Sequence, residues 1–428
     1  MSPPGPALKL NETEEYTMGN YKPLAGVKVV ELSFMMAGPS CCRYLADWGA
    51  DVIKVEKKSG DTFRFYPPTM GMPATQDCNP LYDDLNAGKR CISLDITKPE
   101  GMAAFHKLLA KADVFLTNNR QKALDKNGLD YDSLKEKYPG LIMAQVTSYG
   151  RKGPRRNDPG QDTISFWVSS GFNADMMIET DNSYPVFGSN GAGDFITGLG
   201  LAYAVVCALY KKKETGLGDY VENSLYGMGL WCTSNYNIGC LPQYNWKMPR
   251  RRETCTPGAA PFKCKDGNWI MCAVVNIESQ WPGFANAIGK PEWAHHEIYG
   301  TTKGQSDFKV REYLMKECEG IFASKTAAEW DKIFTDLDLT HDIMAHYGDF
   351  VKNEQAFANE YAFDVSYPNG HKTTLIRPSM TSEKMGVPEF VRGPMTGEQT
   401  ESILAELGYT PEQIKEMEES GAAYQISL

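Results

Sequence analysis

The chain has 428 residues, 42% hydrophobic and 23% charged, an ordinary globular composition that excludes a disordered or collagen-like polymer. With 54 acidic against 44 basic residues its net charge is −10, which argues against nucleic acid or an anionic membrane as the main partner. Eleven irregularly spaced cysteines, adjacent at Cys41-Cys42, read as reduced thiols of a cytoplasmic protein and not as a disulfide framework.

Residues 1–20 lack periodicity and carry Glu12, Glu14 and Glu15, which predicts an exposed arm and not a transit peptide. From Gly26 a regular pattern begins. GVKVVELS is a β-branched run and predicts a buried strand, and PSCCRYLADWG predicts a helix opened by Pro39 and closed by Gly49. ADVIKVE and CISLDI (91–96) are the next strands. Thr97 then stands three residues before Glu100 with Pro99 between them, a capping-box spacing, and Met102, Phe105, Leu108 and Leu109 form one apolar face. DVFLTNN (113–119) and LIMAQVTSYG (141–150) read as strands flanking a helical stretch at 131–138. Strands alternating with amphipathic helices predict an α/β fold with a mostly parallel, Rossmann-like sheet.

The run 195–210 is the longest uncharged apolar stretch. It falls short of the roughly 20 residues a bilayer needs, so it reads as a core helix and no membrane partner is expected. GDYVENSLYGMGLWC looks like a last strand and helix of that layer. Residues 239–262 are proline-rich loop, and PFKCKDGNWIMCAVV predicts a hairpin turning at Asp266-Gly267. Helices are expected at 307–323, 326–336, 396–408 and 411–419. The pattern divides the chain into the arm 1–20, a large α/β domain 21–224, a smaller mixed α/β domain 225–345 and a C-terminal part 346–428.

Several chemistries are excluded by missing motifs. No G-x-G-x-x-G follows a strand and no P-loop occurs, which disfavours a dinucleotide dehydrogenase or NTPase. His295-His296 and the pair His341 and His346 lack metal-ligand spacing, so no metal is expected. There is no G-x-S-x-G elbow. The informative segment is GSNGAGDFITGLGLAYAVVCALY, where Asp194 follows five small residues and opens an apolar helix. A carboxylate there serves as an N-cap, a base or a nucleophile, and the residues alone do not choose. Two basic groups, Arg151, Lys152, Arg155, Arg156 and Arg250, Arg251, Arg252, read as solvated loops or as phosphate contacts.

Together the segments LAGVKVVELSFMMAGP, LADWGADVIKVEKKSGD, LNAGKRCISLDITKPEG, ADVFLTNNRQKALDKNGLDYDSL, VTSYGRKGPRRNDPGQD, GDFITG and GDYVENSL resemble the class III CoA-transferases, the formyl-CoA transferase and carnitine CoA-transferase type. EKYPGLIMAQVTSYGRKGP and LGYTPEQIKEMEE resemble the branch acting on 2-hydroxy acids in amino-acid fermentation, such as phenyllactate and 2-hydroxyisocaproate CoA-transferases. The resemblance implies a large domain completed by the returning residues 346–428, and an interlocked, threaded homodimer. It implies acyl-CoA and a free carboxylic acid as substrates, and no tightly bound cofactor.

It also implies roles for residues. Asp194 falls on the family's catalytic aspartate, which forms an acyl-aspartyl anhydride and then an aspartyl-CoA thioester. Gln161 and Asp162 match a Tyr-Glu pair beside the active site. CoA contacts are implied for Met36, Ala37, Lys57, Leu94, Asn118, Asn119 and Lys126, with Met36 replacing a glutamine and Lys57 and Lys126 replacing arginines. PGAAPF (257–262), with Tyr244 and Trp246, is expected to line the acid pocket in place of the family's glycine-rich lid. Two alternatives are carried: an α-methylacyl-CoA racemase, whose Gly-His-Asp motif here reads Gly160-Gln161-Asp162, and a nonenzymatic CoA-binding protein.

Overall fold

The computed structural model describes residues 21–427 except Asp181, Phe187 and Asn245. The expected arm 1–20 lies outside the described residues. The described residues form two compact units, one within 21–169, 189–231 and 354–427, the other within 170–188 and 232–353.

In chain order the first unit builds β1 (Lys28–Leu32), α1 (Ala37–Asp47), β2 (Asp51–Glu56), α2 (Pro80–Asn86), β3 (Arg90–Leu94), α3 (Pro99–Lys111), β4 (Val114–Thr117), α4 (Gln121–Asn127), α5 (Tyr131–Lys137) and β5 (Ile142–Thr147). A π-helix, Asp162–Val168, follows. A short α6 (Phe172–Asp175) belongs to the second unit. The first unit then resumes with α7 (Ala192–Thr215), β6 (Tyr220–Ser224) and α8 (Leu225–Cys232). The sheet order, leaving aside a late strand, is β3-β2-β1-β4-β5-β6, all parallel. Order reverses between β1 and β4, and the carboxyl ends of these two strands open a crevice at that switch point.

Successive strand residues serve opposite faces, and both faces are buried. Val30, Phe115 and Met143 face a core with Phe105 and Leu108 of α3, whereas Val29, Val114 and Ile142 face α1 and α7. This explains why the strands read as continuous apolar runs. One expected detail fails. Thr97 does not cap α3; Lys98 is the N-cap residue, without a side-chain cap. The Thr97 hydroxyl donates instead to Asp95 Oδ1 at 2.6 Å.

The 24-residue α7 is long and apolar enough to cross a bilayer by length and composition, counting the whole helix and not only its uncharged run. Its Leu201, Val205 and Leu209 are buried in the core beside α1. At Gly198 an added Cβ would fall 2.1 Å from Ser40 Oγ of α1, so the two helices meet backbone to backbone.

The second unit continues with α9 (Ser234–Gly239), β7 (Pro261–Lys263), β8 (Trp269–Cys272), α10 (Ile277–Ala287), α11 (Thr302–Gln305), α12 (Phe308–Phe322), α13 (Ala327–Asp336) and β9 (His341–Ile343). The hairpin turns as expected at Asp266-Gly267, with Gly267 at φ 87°. The expectation that PGAAPF lines the acid pocket is corrected for Ala260 and Phe262. Both are 1% exposed, and Phe262 stacks on Phe322 at 4.5 Å in this unit's own core.

The last segment adds α14 (Glu354–Ala358), the hairpin β10 (Ala362–Ser366) and β11 (Lys372–Ile376), then α15 (Thr400–Glu406), α16 (Pro411–Glu419) and β12 (Ala423–Tyr424). β12 joins the sheet antiparallel to β3, and Ile403, Leu404 and Ile414 enter the same core as α3. α16 carries a full capping box between Thr410 and Gln413.

Beneath the crevice runs a buried ion network with no counterpart in the sequence reading. Lys54 Nζ lies 2.9 Å from Glu31 Oε1 and 3.0 Å from Asp61 Oδ2, and Lys89 Nζ lies 2.8 Å from Glu31 Oε2. Burial opposes ionisation of Glu31, but the ammonium groups of Lys54 and Lys89 hold it down at about 2. Beside it Arg64 grips Glu56 through two bonds of 3.0 Å.

Candidate active site

The loop after β1 is held in an unusual shape. Met35 has φ 63°, a left-handed conformation that non-glycine residues rarely adopt. Two clamps impose it. Asn118 accepts from Phe34 N at 3.2 Å and donates to Phe34 O at 2.7 Å. Asp61, anchored by Lys54, accepts from Met35 N at 3.0 Å. The side chain of Asn119 donates to Leu32 O at 3.0 Å. The carboxamides of Asn118 and Asn119 are thus engaged in shaping this loop.

Above the switch point lies a cavity of about 680 Å³. The β1–α1 loop contributes Met35, Met36 and Ala37, the segment after β4 contributes Asn118, Asn119 and Arg120, and the region after β5 contributes Arg151, Arg156, Gln161 and Asp162. The first turn of α7 contributes Asp194. Seven of the residues implied by the resemblance therefore come together: Met36, Ala37, Asn118, Asn119, Gln161, Asp162 and Asp194. Lys57, Leu94 and Lys126 do not line the cavity. Lys57 and Leu94 stand at the carboxyl ends of β2 and β3, roughly 5 and 10 Å along the sheet from β1 at ordinary strand spacing. Lys126 is exposed on α4.

Arg120 does not stand out in the sequence; only its place after β4, at the switch point, signals it. Arg151 and Arg156 are visible there only as part of a basic run. Arg155 instead pairs with Asp158 at 3.0 Å and lies over the Tyr149 ring. The second run is satisfied within its own unit: Arg250 pairs with Glu179, Arg251 with Glu253 and Arg252 with Glu319. Among the described residues no three His, Cys, Asp or Glu side chains stand close enough to hold a metal ion.

Asp194 is not the N-cap of α7. That position is Gly191, at φ 95°, and Asp194 is the third residue of the helix. Burial, and then the like charge of Asp162, push the Asp194 carboxyl up to about 7. Asp162 itself is 3% exposed; its Oδ2 accepts from Gly191 N at 2.8 Å and from the Trp167 indole at 3.2 Å. Gly193 has no room for a side chain, because a Cβ there would lie 2.2 Å from Asp162 Oδ1 and 2.3 Å from Phe166 Cγ. Gly193→Ala is therefore expected to displace Asp162, lower stability by about 1–3 kcal/mol and remove most activity. Thermal unfolding and steady-state rates check this.

A carboxyl raised towards neutrality in a cavity that also holds Arg120, Arg151 and Arg156 suits attack on an electrophilic carbonyl. Comparison with known proteins gives the family. Residues 24–400 match the sequence model of CoA-transferase family III. The chain belongs to this family. It is an enzyme of the transferase type that moves CoA between acids. It is 36% identical to the cinnamoyl-CoA:phenyllactate CoA-transferase of Clostridium sporogenes, over 93% of this chain and 97% of that one. It is 35% identical to the (R)-2-hydroxy-4-methylpentanoate CoA-transferase of Clostridioides difficile, over 93% and 98%. Among solved structures it resembles a CAIB/BAIF family protein from Brucella suis, with a TM-score of 0.74, 27% identity and coverage of 90% of this chain and all of that one. The racemase alternative is not favoured, since Gln161 offers no base where a racemase carries histidine.

Proposed function

We propose that this family III enzyme transfers CoA from an acyl-CoA donor to a 2-hydroxy acid with an apolar side chain, with Asp194 as the nucleophile. The observation that carries this reading is the Asp194 carboxyl, raised towards neutrality and facing the cavity from the first turn of α7. The carboxylate attacks the donor thioester carbon, the C–S bond breaks and CoA leaves as thiolate. The thiolate attacks the aspartyl carbonyl of the anhydride and releases the donor as a free carboxylate. The resulting aspartyl-CoA thioester is attacked by the acceptor carboxylate, and the same two steps run in reverse. No water enters, so the thioester energy is retained.

Lys57, Leu94 and Lys126 are assigned to the nucleotide end of CoA along the carboxyl edge of β2, β3 and α4, with Arg120, Arg151 and Arg156 of the cavity wall placed to neutralise phosphate. A homodimer belongs to the same reading. Tyr203, Tyr210 and Trp231, 73%, 70% and 74% exposed, are aromatic surface that a second copy would cover. Free thiols among the described residues, with Cys41 and Cys42 buried side by side, support a reducing cytoplasm.

The acceptor assignment rests on the two relatives named for 2-hydroxy acids and on Met35, Met36, Phe63 and Leu225 in the cavity wall. Burying an unpaired second carboxylate against this wall would be costly. Phenyllactate or 2-hydroxy-4-methylpentanoate is therefore expected to exceed oxalate and succinate by at least about tenfold in kcat/KM, a difference of about 1.4 kcal/mol. Competition kinetics with a cinnamoyl-CoA donor measures this. A preference for the dicarboxylates would assign the cavity arginines to the acceptor and overturn the proposal.

A further inference from the structure

We infer that Asp162 is the positioning residue of the transfer: from the π-helix it caps α7 in place of any residue of that helix, and so leaves the Asp194 carboxyl free to face the cavity. This rests on Asp194 being the nucleophile and gives Asp162 a specific task.

The N–H groups of the first turn of α7 have no partner inside the helix. The N-cap residue, Gly191, has no side chain to satisfy them. An aspartate in the third position, as Asp194 is, can reach back to the N-cap N–H in the manner of a capping box. Here that N–H is already taken by Asp162 Oδ2 at 2.8 Å; burial raises the Asp162 carboxyl above the ordinary range, against which the N–H groups of Gly191, Asp194 and Gly193 favour its anion. The other oxygen, Asp162 Oδ1, occupies the space a Cβ at Gly193 would need, which seats the carboxylate against the helix end. The mount is rigid: the Trp167 indole donates to Oδ2, and Phe166 packs edge-on to Trp167 at 5.6 Å while pressing on Gly193. π-helical turns of this kind recur at functional sites because they re-aim a side chain.

The same placement puts a negative charge beside Asp194. Around it, α1 supplies Ser40, whose hydroxyl donates to Asp194 O at 3.4 Å, and Tyr44, which donates to Phe195 O. β6 supplies Asn223, bonded to Thr197 O, and the facing cavity wall carries Arg120, Asp125, Arg151, Arg156 and Asp158. Among all of these, Asp162 is the charged group that perturbs Asp194. A carboxylate kept basic in this way is a stronger nucleophile towards a thioester.

Asp162→Asn tests the role, because the amide keeps an acceptor oxygen for Gly191 while removing the charge. The carboxyl of Asp194 is titrated in the full-length protein without substrate, by carbon NMR of labelled aspartate, and the acid limb of kcat/KM is measured in parallel. Both are expected to move down by about one pH unit in Asp162→Asn. Asp162→Ala, which loses the cap as well, is expected to lose about 10²-fold in kcat with KM for acyl-CoA changed less than about threefold. Wild-type kcat in a folded Asp162→Ala protein overturns the positioning role, and an unshifted titration and limb in a folded Asp162→Asn protein overturns its electrostatic part. Peptide mass spectrometry of quenched wild-type enzyme separates this from the underlying reading. Absence of CoA on Asp194 overturns the nucleophile assignment, whereas a CoA adduct together with wild-type kcat in Asp162→Ala overturns the positioning role alone.

Discussion

Replacing Asp194 with asparagine is expected to abolish CoA transfer while making the protein more stable at alkaline pH. The loss should be at least about 10³-fold, since an amide cannot form the anhydride and the remaining cavity offers binding without a covalent route. Slow deamidation back to aspartate would restore activity, so intact mass must accompany the rate. Transfer at near wild-type rate by a protein whose mass confirms the Asp194→Asn substitution sinks the assignment.

The stability half follows from proton linkage. Asp194 is raised to about 7 in the folded chain, chiefly by burial, from an ordinary value near 4 when unfolded. Between those values the native state holds the extra proton, so wild-type stability falls as pH rises from about 4 to about 7. Asparagine carries no such penalty. The variant should unfold at a higher temperature than wild type at pH 8, by an amount on the order of a few kcal/mol, and the two should converge near pH 4. Loss of function with gain of stability is the signature of a group held in an environment chosen for reactivity. A pH-independent difference would show that burial of the charge is not the cause.

The second large effect is expected at Lys54. Its ammonium is fully buried between Glu31 and Asp61, and it also donates to Ser33 O at 3.0 Å. Lys54→Met leaves Glu31 with Lys89 alone and takes from Asp61 the ammonium it pairs with. Breaking a buried pair in this way costs about 3–5 kcal/mol, far more than the pair itself contributes over an apolar substitute. The damage should reach the site, because Asp61 also fixes Met35 N and so the left-handed turn of the cavity loop. The variant is expected to unfold at a much lower temperature and to bind acyl-CoA more weakly below its transition. A midpoint within about two degrees of wild type would remove the network from the stability of this fold.

Much of the fold was legible because it rests on local periodicity. GVKVVELS, ADVIKVE and DVFLTNN are strands because their β-branched and apolar residues suit a sheet buried on both faces, and the helices between them show one apolar stripe each. The hairpin at Asp266-Gly267 was legible for the same reason, as turn chemistry is local. Thr97 shows the limit. Its spacing to Glu100 is that of a capping box, yet α3 begins at Pro99, so Lys98 takes the N-cap position and the Thr97 hydroxyl donates to Asp95 outside the helix.

The site was legible in part. Asp194 stood out because five small residues precede it, and the resemblance named Asn118 and Met36, which line the same cavity. PGAAPF misled because an apolar segment lines a pocket or a core with equal ease, and the Phe322 ring claims Phe262 for the core. The two arginine runs looked alike as strings. Glutamates distant in sequence neutralise one of them, whereas Arg156 of the other faces the cavity.

By itself the sequence determined the alternation of strands and helices, the family, and a single acidic residue at the head of the apolar helix. These depend on neighbours within a turn or a strand, or on motifs kept in order along the chain. Only the tertiary structure decided that Asp162 and not Asp194 caps that helix, that Gly193 must lack a side chain to admit it, and that Glu31, Lys54, Asp61 and Lys89 neutralise one another beneath the loop of Met35. Each joins residues tens of positions apart. Charge pairing and capping act over a few ångströms of space, and which residues meet at that distance is set by the order of the strands in the sheet.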